Sequence, residues 1–261
     1  MDLHSARATA TIHPDDGRLA SLIVDDMELL VTEGAKPTRW GSFPMAPWAG
    51  RLAFGRLYFN ERTIEFPITS APHANHGTVM HQPWEVVEAA DSTATLRADM
   101  APRWPFDAAV EQRFTLTDDH FRVEMTIDAG EAMPAQLGWH PWYRRQLDRG
   151  APLEIEFAAD SMYAVDSEQL ATGELVTPPE GPWDDTFVNV TQPPILRWAD
   201  ALTVELTSDM DHWVVFTRPD HAVAIEPQSG APNDLNRAPH IIPAGESLSG
   251  WMQLTWGEQT N

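Results

Sequence analysis

The chain has 261 residues, 43% of them hydrophobic, carries a formal net charge of -22 and contains no cysteine. Disulfides, thiolate metal sites and cysteine nucleophiles are therefore excluded. So much negative charge repels phosphate backbones and anionic lipid surfaces, which argues against nucleic acid and membrane partners. The length and apolar content suffice for one large core, and all-β chains of this size are often a single domain. Lys36 is the only lysine, so arginine carries nearly all the positive charge. The N-terminal residues Met1 to Arg7 have no basic stretch followed by an apolar core, and no apolar run is long enough to span a bilayer. The expectation is a cytoplasmic protein.

Short strands separated by turn residues dominate the chain. Arg7 to Ile12 alternates and then turns at Pro14-Asp15-Asp16-Gly17; Leu19 to Val24 and Glu28 to Thr32 follow. Arg56 to Phe59 and Thr63 to Phe66 flank Asn60-Glu61 as a hairpin, and Trp84 to Glu88 faces Thr93 to Ala98 across Asp91-Ser92. Ala108 to Leu116 and Phe121 to Ile127 form the clearest pair. In the first of these, Val110, Gln112, Phe114 and Leu116 stand on one face. Further strands are predicted at Leu153 to Phe157, Thr186 to Val190, Leu202 to Thr207, Trp213 to Thr217, Val223 to Glu226 and Leu248 to Trp256. Twenty-two prolines oppose long helices, and only a helical turn near Ser167 to Leu170 is expected. The predicted architecture is one all-β domain over residues 1–261, a large antiparallel β-sandwich with long loops.

Three segments concentrate unusual residues and read as functional loops: Trp40 to Leu52, Pro72 to Trp84 and Gln136 to Arg145. A fourth feature is Glu226, a carboxylate following the apolar run Ala222 to Ile225 and preceding Pro227-Gln228-Ser229-Gly230. That position puts an acid at a sheet end beside apolar side chains, where a raised pKa suits base chemistry. His73, His76 and His81 fit no zinc spacing, and no metal is expected. For His73 and His81 the favoured reading is a hydrogen-bonded or surface loop residue.

Five segments taken in order resemble the aldose 1-epimerase, or galactose mutarotase-like, family. They are Pro47-Trp48-Ala49-Gly50-Arg51-Leu52, Asn75-His76-Gly77 with Trp84 downstream, Gly138-Trp139-His140-Pro141-Trp142-Tyr143, Trp183-Asp184-Asp185-Thr186-Phe187, and Glu226-Pro227-Gln228 with Pro232 and Asn236. The resemblance implies the mutarotase supersandwich, a sugar substrate and no cofactor. It implies interconversion of the α and β anomers of a hexose by ring opening and reclosure. Glu226 would be the general base on the C1 hydroxyl, His140 the general acid at the ring oxygen and His76 a hydrogen-bonding partner near that oxygen. Arg51 and Asp184 would hold sugar hydroxyls, with Gln228 and Trp142 as further substrate contacts. Gly50 stands where the family commonly has asparagine, and the stretch Thr78 to Gln82 after His76-Gly77 lacks the arginine that some relatives carry there. A sugar-phosphate mutarotase using Arg39, Arg51, Arg144 or Arg145, and a non-catalytic sandwich binding sugar through Trp40, Trp48, Trp139 or Trp142, are the alternatives. Either a monomer or a homodimer is compatible with this reading.

Overall fold

In a computed structural model of the chain, which describes residues 1–257, seventeen strands join into one hydrogen-bonded antiparallel network. It folds into two layers. The first runs through Glu85–Ala89, Thr93–Asp99, Ala108–Leu116, His120–Ala129, Ser247–Trp256 and Leu202–Ser208. The second runs through Asp2–His4, Ala8–His13, Arg18–Val24, Ser42–Met45, Gly138–Arg144, Ala222–Gln228 and His212–Phe216. One strand, Asp184–Trp198, belongs to both: its start pairs with His212–Phe216 and its end with Leu202–Ser208. Residues 258–261, part of the expected domain span, lie outside the described residues.

Alternation determines which side chains meet between the layers. Along Ala108–Leu116 and His120–Ala129 every second residue is buried, as the period-two pattern predicts. Gln112 is the polar member of that buried face. Its amide donates to Gly17 O (2.7 Å) and accepts from Trp139 Nε1 (2.9 Å), so the layers are tied by a satisfied polar bridge.

The structure corrects the sequence reading in four places. The segment Gln136 to Arg145 is not a loop: Gly138–Arg144 is a central strand, buried except at its last residue. Strands covered on both faces carry continuous apolar and aromatic runs, which lack the alternation that marks a half-exposed strand. Glu226 does not follow its strand but lies inside it, because Ala222–Gln228 continues past Pro227. Asp184–Trp198 and Glu154–Val165 are far longer than predicted. Pro193 and Pro194 sit within the register shift between Ala158↔Gln192 and Glu156↔Ile195, so a bulge accommodates two residues that cannot donate to the ladder. Ser167 to Leu170 is a turn, with Asp166 Oδ1 accepting from the Glu168 and Leu170 amides. Among the described residues the α-helix is the short Asp234–Arg237 segment, and no helix is long and apolar enough to cross a membrane.

Candidate active site

Register, not proximity in sequence, assembles the site. Gly138 pairs with Gln228 and Trp142 with Ala224, so His140 stands opposite Glu226 on the neighbouring strand. The ladder is interrupted between those two points, where Pro141 and Pro227 have no amide to contribute. His140 pairs on its other side with Phe43, Glu226 with Val214, and Val214 with Thr186. These residues form one row on one face of the sheet. One step along, Trp142, Ala224, Phe216 and Asp184 form the parallel row. Alternation sends Trp139, Tyr143, Val223 and Ile225 to the opposite face and the core, where all four are buried.

This face opens into a cavity of about 470 Å³. Its lining contains all seven residues singled out from the sequence: Arg51, His76, His140, Trp142, Asp184, Glu226 and Gln228. His140 Nε2 lies 3.1 Å from Glu226 Oε1, and both side chains are buried. Gln228 Nε2 donates to Glu226 Oε2 at 3.0 Å. The His140 ring stacks between Phe43 (centroids 4.8 Å apart) and Trp142 (4.9 Å), which fixes its plane. His140 Nδ1 is buried with no hydrogen-bond partner among the described residues. Arg51 Nη2 is 3.7 Å from Asp184 Oδ2, and Arg218 Nη1 is 4.0 Å from the same oxygen.

His76 reaches the site from the Pro72 to Trp84 loop. It meets the His140 ring edge-on at 5.2 Å, and its Nδ1 lies 3.0 Å from Met45 Sδ. The backbone there is left-handed at both His76 (φ 66°) and Gly77 (φ 72°). A Cβ on Gly77 would meet Ala46 O at 2.0 Å, so only glycine lets this loop press against the Ser42–Met45 strand end.

The electrostatics follow from burial. Desolvation pushes the Glu226 carboxyl well above its ordinary range; the Asp184 charge adds to this, while the Gln228 hydrogen bond and Arg51 oppose it. His140 is pushed well below the ordinary histidine range, first by burial and then by His76. His76 is lowered to about 3 by burial, with Arg51 and Arg39 contributing. All three shifts favour neutral groups in this cavity.

Other sequence candidates fall elsewhere. His73 is structural: its Nδ1 accepts from the Phe54 amide (3.2 Å) and its Nε2 contacts Glu168 O (2.9 Å). His81 is exposed at the cavity rim. Arg144 donates from Nε to Leu30 O, and Arg145 from Nε and Nη2 to Pro219 O and Thr217 O. Trp48 and Trp139 are core, and Trp40 lies against the Arg18 guanidinium at 3.9 Å. Trp142 is only 1% exposed and packs its ring on His140, which leaves little of its face for a ligand. Among the described residues no group of three or more His, Asp or Glu is arranged to hold a metal ion. Sequence reasoning missed Thr38, Thr186 and Phe216 as cavity-lining residues. Strand alternation from Asp184 and Gln228 would have found the last two, had the register been known.

The sequence model of the aldose 1-epimerase family matches residues 3–255. The chain belongs to the aldose 1-epimerase family. Within that fold, a galactose mutarotase-like protein from Clostridium acetobutylicum superposes with a TM-score of 0.85 at 18% identity, covering 98% of this chain and 94% of the other. A galactose mutarotase/aldose epimerase homologue from C. elegans superposes at 0.83 with 17% identity, covering 98% of both chains. In sequence, the uncharacterized Escherichia coli K12 protein YihR is 26% identical over 136 residues. That match spans 49% of this epimerase-family chain and 44% of YihR, under half the length of that relative.

Proposed function

We propose that this member of the aldose 1-epimerase family interconverts the α and β anomers of a hexose by general acid/base ring opening. The observation that carries the reading is the buried His140–Glu226 contact at 3.1 Å, set in a cavity of about 470 Å³, within the range of small-molecule sites. Anomer exchange requires a proton to leave the C1 hydroxyl and another to reach the ring oxygen. Those two oxygens share one carbon, so the groups serving them must also be neighbours. Acid and base therefore work side by side here, rather than from opposite sides of the ring.

The pair holds one transferable proton. Burial favours leaving it on Glu226, with His140 neutral. Moving it across the 3.1 Å contact gives carboxylate and imidazolium without changing the net charge of the cavity. Gln228 and Arg51 both favour the carboxylate. In that form Glu226 takes the C1 hydroxyl proton, His140 protonates the ring oxygen, the C1–ring-oxygen bond breaks and C1 becomes a carbonyl. Rotation about the neighbouring C–C bond and the reverse transfers close the ring on the other face. His76 is placed beside the ring oxygen; Arg51, Asp184 and Gln228 face the sugar hydroxyls. Trp142 acts through His140, holding its plane.

The test is proton NMR or polarimetry on freshly dissolved α-D-glucose and α-D-galactose. Wild type is expected to accelerate anomer exchange, with Glu226→Gln and His140→Asn each slowing it by about 10²–10⁴-fold. Sugar binding with no acceleration by wild type would instead assign the chain as a non-catalytic carbohydrate-binding sandwich.

A further inference from the structure

Among the described residues the His76 side chain makes one polar contact with the protein, and that partner decides what the imidazole can do. Its Nδ1 lies 3.0 Å from Met45 Sδ. A thioether sulfur has lone pairs and no proton, so it can only accept. Nδ1 must therefore carry the hydrogen, since in the other tautomer two lone pairs would face each other at this distance. Burial also keeps the ring neutral, lowering His76 to about 3. A neutral imidazole has one N–H, and here the sulfur takes it. Nε2 is left with a bare lone pair on a residue that lines the cavity.

The sheet puts Met45 where it can do this. Met45 and Phe43 are two residues apart on the Ser42–Met45 strand and share the cavity face. Met45 is fully buried in the small apolar cluster with Phe43, Ala49 and Met80, so no water competes for the contact. Strand order also fixes the side from which His76 approaches. Across the face Phe43 stands opposite His140, His140 opposite Glu226, and Glu226 opposite Val214. His76 touches Met45 and meets the Phe43 ring edge-on at 5.5 Å. It therefore lies on the side of His140 away from Glu226. In a hexopyranose the ring oxygen is flanked by C1 and C5. With the C1 hydroxyl at Glu226 and the ring oxygen at His140, the next group in line is the C6 hydroxyl carried on C5. The ring oxygen has no proton to give to Nε2; the C6 hydroxyl has one.

We infer that Met45 is a positioning residue that locks His76 in its Nδ1–H form, so that His76 Nε2 accepts a hydrogen bond from the C6 hydroxyl and selects hexoses that carry one. A site built to receive a hydroxyl proton rejects analogues that lack it, because its acceptor is then left unpaired. The inference rests on the epimerase reading for the orientation of the sugar, but not for the tautomer.

The experiment compares kcat/KM for anomer exchange on glucose and galactose with their 6-deoxy and 6-deoxy-6-fluoro analogues, in wild type and Met45→Leu. Fluorine keeps the position polar but donates nothing. Leucine keeps the apolar volume and removes the acceptor. Wild type is expected to favour the parent sugar over both analogues by about tenfold. Met45→Leu is expected to lower that ratio several-fold, because His76 then samples both tautomers. Nitrogen-15 NMR of the histidine rings reads the tautomer directly, with the His76 signals assigned by their loss in His76→Gln. Wild type is expected to show a protonated Nδ1 and a bare Nε2, and Met45→Leu a mixture. A protonated Nε2 in wild type overturns the inference, as do analogues that match their parents or a ratio that Met45→Leu leaves unmoved. If wild type accelerates no aldose, the epimerase reading falls and the same spectra decide this one. A His76 Nε2 signal moved by glucose or galactose but not by the 6-fluoro analogue would keep the acceptor role. A signal that responds to the parent sugars and to the analogues alike, or to none of them, would reject it.

Discussion

At the residue scale, Glu226 and His140 explain each other. Each is buried and shifted away from its charged form, and each lies within hydrogen-bond distance of the other. The working state holds one proton between them. It gains a second proton, and loses its base, only below the lowered His140 range; it loses its acid only above the raised Glu226 range. The pH–rate profile is therefore expected to be a bell with a broad flat top spanning neutrality, measured as kcat/KM for anomer exchange. A sharp loss of rate at pH values around the ordinary histidine range, about 6.5, would contradict this. Stability carries a second signature. A carboxyl whose folded pKa is raised contributes stability below its ordinary range and loses it as pH rises through the folded value. Glu226→Gln removes that loss. Its melting temperature is expected to exceed that of wild type at about pH 8, and the difference should shrink towards about pH 4.

At the element scale, the sequence shows the hairpins well and the central strands poorly. The Arg56–Phe59 and Arg62–Glu65 strands pair as predicted, across a two-residue turn in which Asn60 (φ 48°) and Glu61 (φ 60°) are both left-handed. Two-residue turns of that hand suit the twist of the strands they join, and glycine is favoured at the second position. Glu61→Gly is expected to raise unfolding stability by about 1 kcal/mol in denaturant titrations. The opposite holds at Gly77. Alanine there would keep an unfavourable φ and drive a Cβ into Ala46 O. Gly77→Ala is expected to cost about 2 kcal/mol or more and to slow anomer exchange, because His76 hangs from the same turn. Gly138–Arg144 reads as a loop from its sequence because Gly, His, Pro and two Trp break any alternation. Only the flanking strands Ser42–Met45 and Ala222–Gln228 make it the middle of a layer.

At the scale of the whole molecule, charge and layering act together. Two layers joined by the Asp184–Trp198 strand bury one large apolar core, while the acidic residues are carried mainly on the outside. Mutual repulsion among those charges weakens the compact state and is screened by salt. The melting temperature is expected to rise between about 0.01 M and about 0.15 M monovalent salt, as the screening length falls from about 30 Å to about 8 Å. A melting temperature that falls over this range would mean that the ion pairs on the surface outweigh the net repulsion.

The sequence by itself determines the all-β class, most strand positions and the residue types that carry the chemistry, because alternation and turn chemistry are local. It singles out Glu226 beside an apolar run, but as a residue at a strand end, whereas the strand runs on through Gln228. Only the tertiary structure decides that His140 stands beside Glu226, that Trp142 props the histidine, that Asp184 meets Arg51, and that Lys36 and Arg39 rim the same cavity. The reason is register. Cross-strand partners are chosen by how whole strands slide against one another to bury a common face, and a shift of one residue in the strand that carries His140 or Glu226 would turn that side chain to the opposite face.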